Sequence, residues 1–304
     1  MTCCTGHFFL LDLVHTLTYI VMNNKALSFA NIILYLAMVT VNALANILPI
    51  NGITTGELSD SYPNLFVPAG MTFSIWGVIY ILLLILVVYQ AVAVYARKER
   101  FALSRTQNLV FALTCLLNMA WILTWHYRLV LLSVVVMIGL LLSLIYLYNA
   151  IFNVQIKSLA GKLAFRVSTG VYLGWISVAT IANISALLVS WNWNGFGLSN
   201  NVWTIIVMAV GLILAVLVTL RNRDIFYSLV VVWAYYGIIV KRSAELVPHQ
   251  DIIIAAWTAI GLITLLIVYT LVSACTCKNG KGLLCRNQKV CWNQKVCWNQ
   301  KDHP

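Results

Sequence analysis

The chain has 304 residues, of which 62% are apolar and only 9% are charged. A soluble domain carries about 25% charged residues, so a water-soluble globule is excluded and lipid must be the solvent for most of the chain. The net charge of +11 suggests a nucleic-acid partner only until the basic residues are located, because they sort by membrane side.

The first 21 residues come before any long apolar run. His7 to Met22 is apolar but short and contains Asp12 and His15. It lacks the basic start and small-residue cleavage site of a signal peptide. It reads either as an interfacial segment or, preferably, as an extension ahead of a functional chain that begins at Met22.

No Asp, Glu, Lys or Arg occurs in 26–56, 61–96, 106–127, 129–156, 167–220 or 252–277. A crossing needs about 20 apolar residues. The predicted spans are 29–50, 71–95, 107–125, 129–151, 167–190, 201–220, 225–240 and 251–273, with Trp191–Gly195 as the turn inside the longest run. Helices are expected, because backbone groups in lipid must be satisfied within the segment or in a closed barrel, and these runs are too long and too uniformly apolar for barrel strands. The predicted fold is therefore all-α, a polytopic membrane bundle of about eight transmembrane helices.

The spans carry polar and aromatic residues at helical spacing. The first has Asn42 and Asn46 one turn apart. The second has Phe73, Trp76 and Tyr80, and the third has Asn118, Trp121 and Trp125. The fifth has Tyr172, Trp175, Ala179 and Asn183. Each set occupies one helix face. Asparagine deep in a span is costly without a partner, so these faces should turn into the bundle. Trp191, Trp193 and Trp203 fit an interfacial belt instead. Two readings of the stripes stay open: helices glued by asparagine, or a flat-walled cavity for a planar apolar ligand held by stacking and a few hydrogen bonds. On the second reading Phe73, Trp76, Tyr80, Asn118, Trp121, Trp125, Tyr172 and Trp175 line the site, while Asn42, Asn46 and Asn183 are structural.

With the N-terminus inside, sixteen of the nineteen lysines and arginines fall in cytoplasmic loops and the tail. Only Arg128, Lys241 and Arg242 lie opposite, with Glu57, Asp60, Glu245 and Asp251. This is the positive-inside bias. It predicts cytoplasmic termini, with the plasma membrane as default, and no nucleic acid among the partners. In the tail, Gln288–Asn293 repeats as Gln294–Asn299, and Cys275, Cys277, Cys285, Cys291 and Cys297 show no zinc-site spacing. No metal site is expected. Juxtamembrane acylation is one reading of these cysteines; an inert, reduced, disordered tail is the preferred one.

On these residues the chain resembles the tryptophan-rich sensory protein family, also called the translocator protein or peripheral-type benzodiazepine receptor family. Pro68, Phe73, Trp76 and Tyr80 resemble its second-helix signature. Asn118 and Trp121 match its third-helix Asn-x-x-Trp. Tyr172, Trp175, Ala179 and Asn183 match its fifth-helix pattern. Ala69 and Val171 stand where the family has prolines. The resemblance covers roughly 29–190. It implies a five-helix core there, preceded by an extension over 1–28 and followed by three additional helices within 191–273 and a basic tail over 274–304. It further implies binding of a porphyrin, haem or sterol-like molecule, as sensor or carrier. The expectation is of no obligatory cofactor and no enzyme, with room for a homodimer.

Other classes fare less well. A microbial rhodopsin needs a lysine in its last span, and the spans have none. A coupled pump normally carries an embedded charge. The sequence has no HExxH pair, no Gly-x-Ser-x-Gly elbow and no carboxylate pair in a span. Its five histidines are not paired at depth as a bis-histidine cytochrome requires. A passive permease remains the main rival, with a membrane enzyme behind it.

Overall fold

A computed structural model describes residues 5–96 and 102–278, with side chains over 24–96 and 102–274. The readings of the first 21 residues' side chains and of the repeated tail lie outside the described residues. Every long element is helical: α1 (Thr5–Ile47), α2 (Thr55–Asp60), α3 (Ile75–Tyr95), α4 (Arg105–His126), α5 (Val130–Phe152), α6 (Leu159–Gly161), α7 (Ser168–Ser190), α8 (Asn200–Asn222), α9 (Ile225–Ser243) and α10 (Gln250–Lys278). A 3-10 turn, Gly70–Ser74, leads into α3, and a π turn, Lys162–Val167, joins α6 to α7. Among the described residues, eight helices are long and apolar enough to cross a membrane.

Three span limits depart from expectation, and the largest departure is at the fifth span, which starts at Leu159 rather than 167 because α6 and the π turn run on into α7. The first crossing segment ends at Ile47 rather than at 50. Pro49 cannot continue a helix, and the chain turns through Asn51 at φ 57°. The seventh runs to Ser243 rather than 240, because Lys241 and Arg242 stay helical. Both cations sit in the last turn, where the helix dipole favours them, and both meet carboxylates.

Local signals set the helix starts. Ser104 and Gln107 form a capping box at α4, and Thr54 and Glu57 form another at α2. Ser199 caps α8 and Asp224 caps α9. These side chains satisfy amide donors that a helix leaves open.

Helices α1, α4, α5, α7 and α3 pack in that order and close into a ring. Helix α9 lies on α7, and α8 and α10 lie on α9. The spans ending in α7 and α9 are each 56% buried, against 28% for α1, α8 and α10, so α7 and α9 are the interior pair. Their contact depends on Gly174. A Cβ there would sit 3.0 Å from the Tyr227 carbonyl and 3.1 Å from Val230 Cβ. Gly170, one turn earlier, leaves its space to the Asp224 carboxylate.

Asparagine joins the ring. Asn31 donates to Asn108 Oδ1 at 2.9 Å. Asn42 donates to Asn118 Oδ1 at 2.7 Å, and Asn46 donates to the Asn42 carbonyl. Asn183 donates to Ser133 Oγ at 2.9 Å. With no water in the hydrocarbon, such amides find partners on neighbouring helices.

Candidate functional site

Seven of the eight predicted ligand-binding residues belong to one network of rings. Trp76 is its centre. It stacks on Tyr80 at 5.6 Å and on Trp121 at 6.1 Å. It meets Tyr172 and Trp175 edge-on, each at 6.2 Å. Trp121 stacks on Trp125, and Phe73 meets Trp175 edge-on. Tyr62, from the loop after α2, adds an eighth ring against Trp125. Edge-to-face and offset stacks are the arrangements that ring quadrupoles favour.

The faces converge because of how the ring of helices closes. Trp121, Trp125, Tyr172 and Trp175 are buried and form the back wall on α4 and α7. Phe73, Trp76 and Tyr80 are half-buried and form the front on α3 and its entry turn. Near the basic end α3 and α7 meet, where Ser168 Oγ donates to the Leu82 carbonyl at 2.9 Å. Toward the opposite end Val178, Ala179 and Ala182 offer α3 only small side chains, and a cavity of about 40 Å³ opens there. Phe73, Trp76, Trp121, Trp125 and Trp175 line it, with Asn183 and, at the cap, Thr55, Ser59 and Pro68.

Tyr80, Tyr172 and Asn118 adjoin the network but are not part of this lining. Asn118 accepts from Asn42 and donates to Tyr172 Oη at 3.0 Å, so it links α1, α4 and α7. Asn183, assigned a structural role from the sequence, lines the cavity and accepts from Trp121 Nε1 at 3.0 Å. It is therefore both strut and wall. Asn42 and Asn46 bond within and beside α1, and Asn46 Oδ1 accepts from Thr55 N at 3.4 Å.

Sequence reasoning missed the cap. Thr55 and Ser59 stand on α2, six residues long and without an apolar run. Its legible signal was Thr54-x-x-Glu57, a capping box. His126 holds this cap from below. Its Nδ1 lies 3.2 Å from the Ile50 carbonyl and its Nε2 lies 3.1 Å from Thr55 Oγ1. A carbonyl only accepts, so Nδ1 carries the proton and Nε2 accepts from the threonine. Val178, Ala179 and Ala182 were also missed as lining, although they share the Trp175 face.

Two donors in the ring network are unspent. Trp175 Nε1 and Tyr80 Oη are buried and have no hydrogen-bond partner among the described residues. Burying such a group unpaired costs about 1–3 kcal/mol, and an acceptor placed between the rings would recover it. Among the described residues no cluster of His, Cys, Asp or Glu could hold a metal ion.

A second void, of about 110 Å³, lies where Trp193 and Trp203 pack beside Phe66 and the end of α7. Trp203 donates to the Gly195 carbonyl at 2.6 Å.

The fold and the site together define a polytopic membrane protein with an aromatic cavity buried between three spans. Its family follows from comparison. The family model described as TSPO-like protein matches residues 28–269, and the chain belongs to that family. The match takes in the five-helix ring and α8, α9 and most of α10. Comparison with curated proteins and with solved structures returns no match.

Proposed function

We propose that the protein binds a planar, largely apolar ligand of the porphyrin class in the cavity between α3, α4 and α7, and serves as its carrier or sensor rather than as an enzyme. The observation that carries this reading is the convergence of seven rings in one network, five of which line a void whose wall includes Trp175, a residue with a buried and unpaired indole N–H. The rings offer flat faces, and Trp175 Nε1 offers one donor to a carboxylate or ring acceptor. Membership of the TSPO-like family supports the ligand class.

Pockets that enclose a drug-sized ligand run to about 300–1,000 Å³, far above the resting void of about 40 Å³. Binding on this reading includes displacement of Trp76, which sits half-buried at the front and stacks on groups behind it. The ligand replaces that stacking with its own.

The test is a fluorescence titration with protoporphyrin IX in nanodiscs. Saturable quenching is expected. Trp175→Phe keeps the ring and removes the donor, and should weaken binding by about 1 kcal/mol, roughly fivefold in Kd. Absence of saturable quenching in the wild-type protein overturns the reading. Porphyrin efflux from loaded proteoliposomes separates the two roles: accelerated release marks a carrier, and tight binding with unchanged release marks a sensor.

A further inference from the structure

Helix α9 lies outside the five-helix ring, yet it makes a series of contacts to the cap of the aromatic cavity. Trp233, Gly237 and Lys241 recur at i, i+4 and i+8 and so share one helix face. Trp233 Nε1 donates to the Thr72 carbonyl at 2.9 Å. The Gly237 carbonyl accepts from Ala69 N at 2.9 Å. Lys241 pairs with Asp60, the last residue of α2. Beside them the buried Arg242 reaches the Val67 carbonyl at 3.5 Å while it pairs with Glu245. The segment 60–72 is thus tied to α9 at four points, and Pro68 within it and Thr55, Ser59 and Phe73 beside it are cavity wall.

Gly237 makes the approach possible. A Cβ there would stand 3.0 Å from both Pro68 Cβ and Thr72 Cβ and would overlap Thr72 Oγ1. Pro68 cannot donate a hydrogen bond, so Ala69 is the first amide of this turn free to reach α9.

We propose that α9 is a clamp whose Trp233, Gly237 and Lys241 hold the cap over the aromatic cavity, so that release of the segment 54–72 from α9 admits and discharges the ligand. The additional helices then regulate access to a site built by the ring. This proposal rests on the ligand reading above for its consequence, but the clamp itself is measurable without ligand.

The experiment is hydrogen exchange of the full chain in nanodiscs, followed by mass spectrometry. Gly237→Ala wedges the face apart, and Lys241→Met removes the ion pair. Each should raise exchange in 54–72 by about fivefold to tenfold, as expected for the loss of one or two local contacts, with α4 and α5 unchanged. Lys241→Arg should keep wild-type exchange, and Asp60→Lys with Lys241→Asp should restore it. Unchanged exchange in 54–72 for both Gly237→Ala and Lys241→Met overturns the clamp, as does an increase spread evenly over all helices. In stopped-flow quenching with protoporphyrin IX, the same variants should speed association and dissociation together and leave Kd within about twofold. Faster exchange with unaltered binding rates overturns the gating role, and loss of quenching in the wild-type protein fails the ligand reading while the exchange result stands.

Discussion

Two residues, Asn118 and Asp224, show how one side chain serves several helices at once. Asn118 accepts from Asn42 and donates to Tyr172, so its removal takes a partner from a buried group on each of two other helices. A leucine there should destabilise the protein. Interhelical hydrogen bonds in membranes average about 0.6 kcal/mol with a maximum near 1.7, and two are lost, so roughly 1–3 kcal/mol is expected in reversible unfolding by SDS. Asp224, in the turn between α8 and α9, is buried. Burial raises its pKa, opposed by the Tyr148 hydroxyl, the Phe226 and Tyr227 amides and the charge of Arg166. The native state therefore holds its proton more tightly than the unfolded chain does. The charged form costs stability above the folded pKa, and that cost vanishes as pH falls toward the ordinary carboxyl range. Asp224→Asn keeps a capping side chain and should be at least as stable as wild type at neutral pH. Its advantage should shrink as unfolding is measured at progressively lower pH. A constant difference across pH would show that the carboxylate is not desolvated.

At the scale of elements, the spans were legible because lipid leaves little choice: a charge-free run of sufficient length must be a helix. The stripes were legible for the same reason, since Asn118 and Trp175 had to face protein. What could not be read was where the lipid constraint ends. The cap helix α2 is short and polar, and only its capping box marked it. Phe73 lies in a 3-10 turn rather than in α3 proper, so an α-helical count from Phe73 to Trp76 held only approximately. The size of the void was also hidden, because it depends on how far α3 and α7 splay, and Ala179 and Ala182 set that only once paired with the right helix. The α7–α9 contact supplies a test at this scale. Gly174→Leu forces a side chain against the Tyr227 backbone, and overpacking costs about 1–3 kcal/mol or more. Gly139→Ala is the control, since its new Cβ would meet only the two Leu117 methyls, at 3.6 and 3.8 Å, in ordinary contact. If both variants unfold at the wild-type SDS fraction, α7 and α9 are not closely packed.

For the molecule as a whole, the charges at the two ends differ in kind as well as number. At the basic end Lys25, Arg105, Lys157, Arg221 and Arg223 stand with little acid beside them, the buried Asp224 apart. At the opposite end Lys241 and Arg242 are paired with Asp60 and Glu245, and Glu57 and Asp251 remain, which leaves that end close to neutral or acidic. The bias counts lysines and arginines rather than net charge, and with Arg128 that end holds three of the nineteen against sixteen opposite. The expected orientation has the α5–α6 connection in the cytoplasm and the α9–α10 connection outside. Single cysteines introduced at Gln155 and Val247, both exposed, into a background with the other accessible cysteines changed to serine, report this directly. A membrane-impermeant maleimide should label Val247→Cys on intact cells and Gln155→Cys only after the membrane is opened. The reverse pattern would overturn the orientation, and protection of both would place the chain in an internal membrane. The outcome also fixes the direction of the cavity. The cap over it, α2 with the turn before α3, lies at the same end as Val247, so labelling of Val247→Cys on intact cells would mean that the clamp on α9 governs entry from outside the cell.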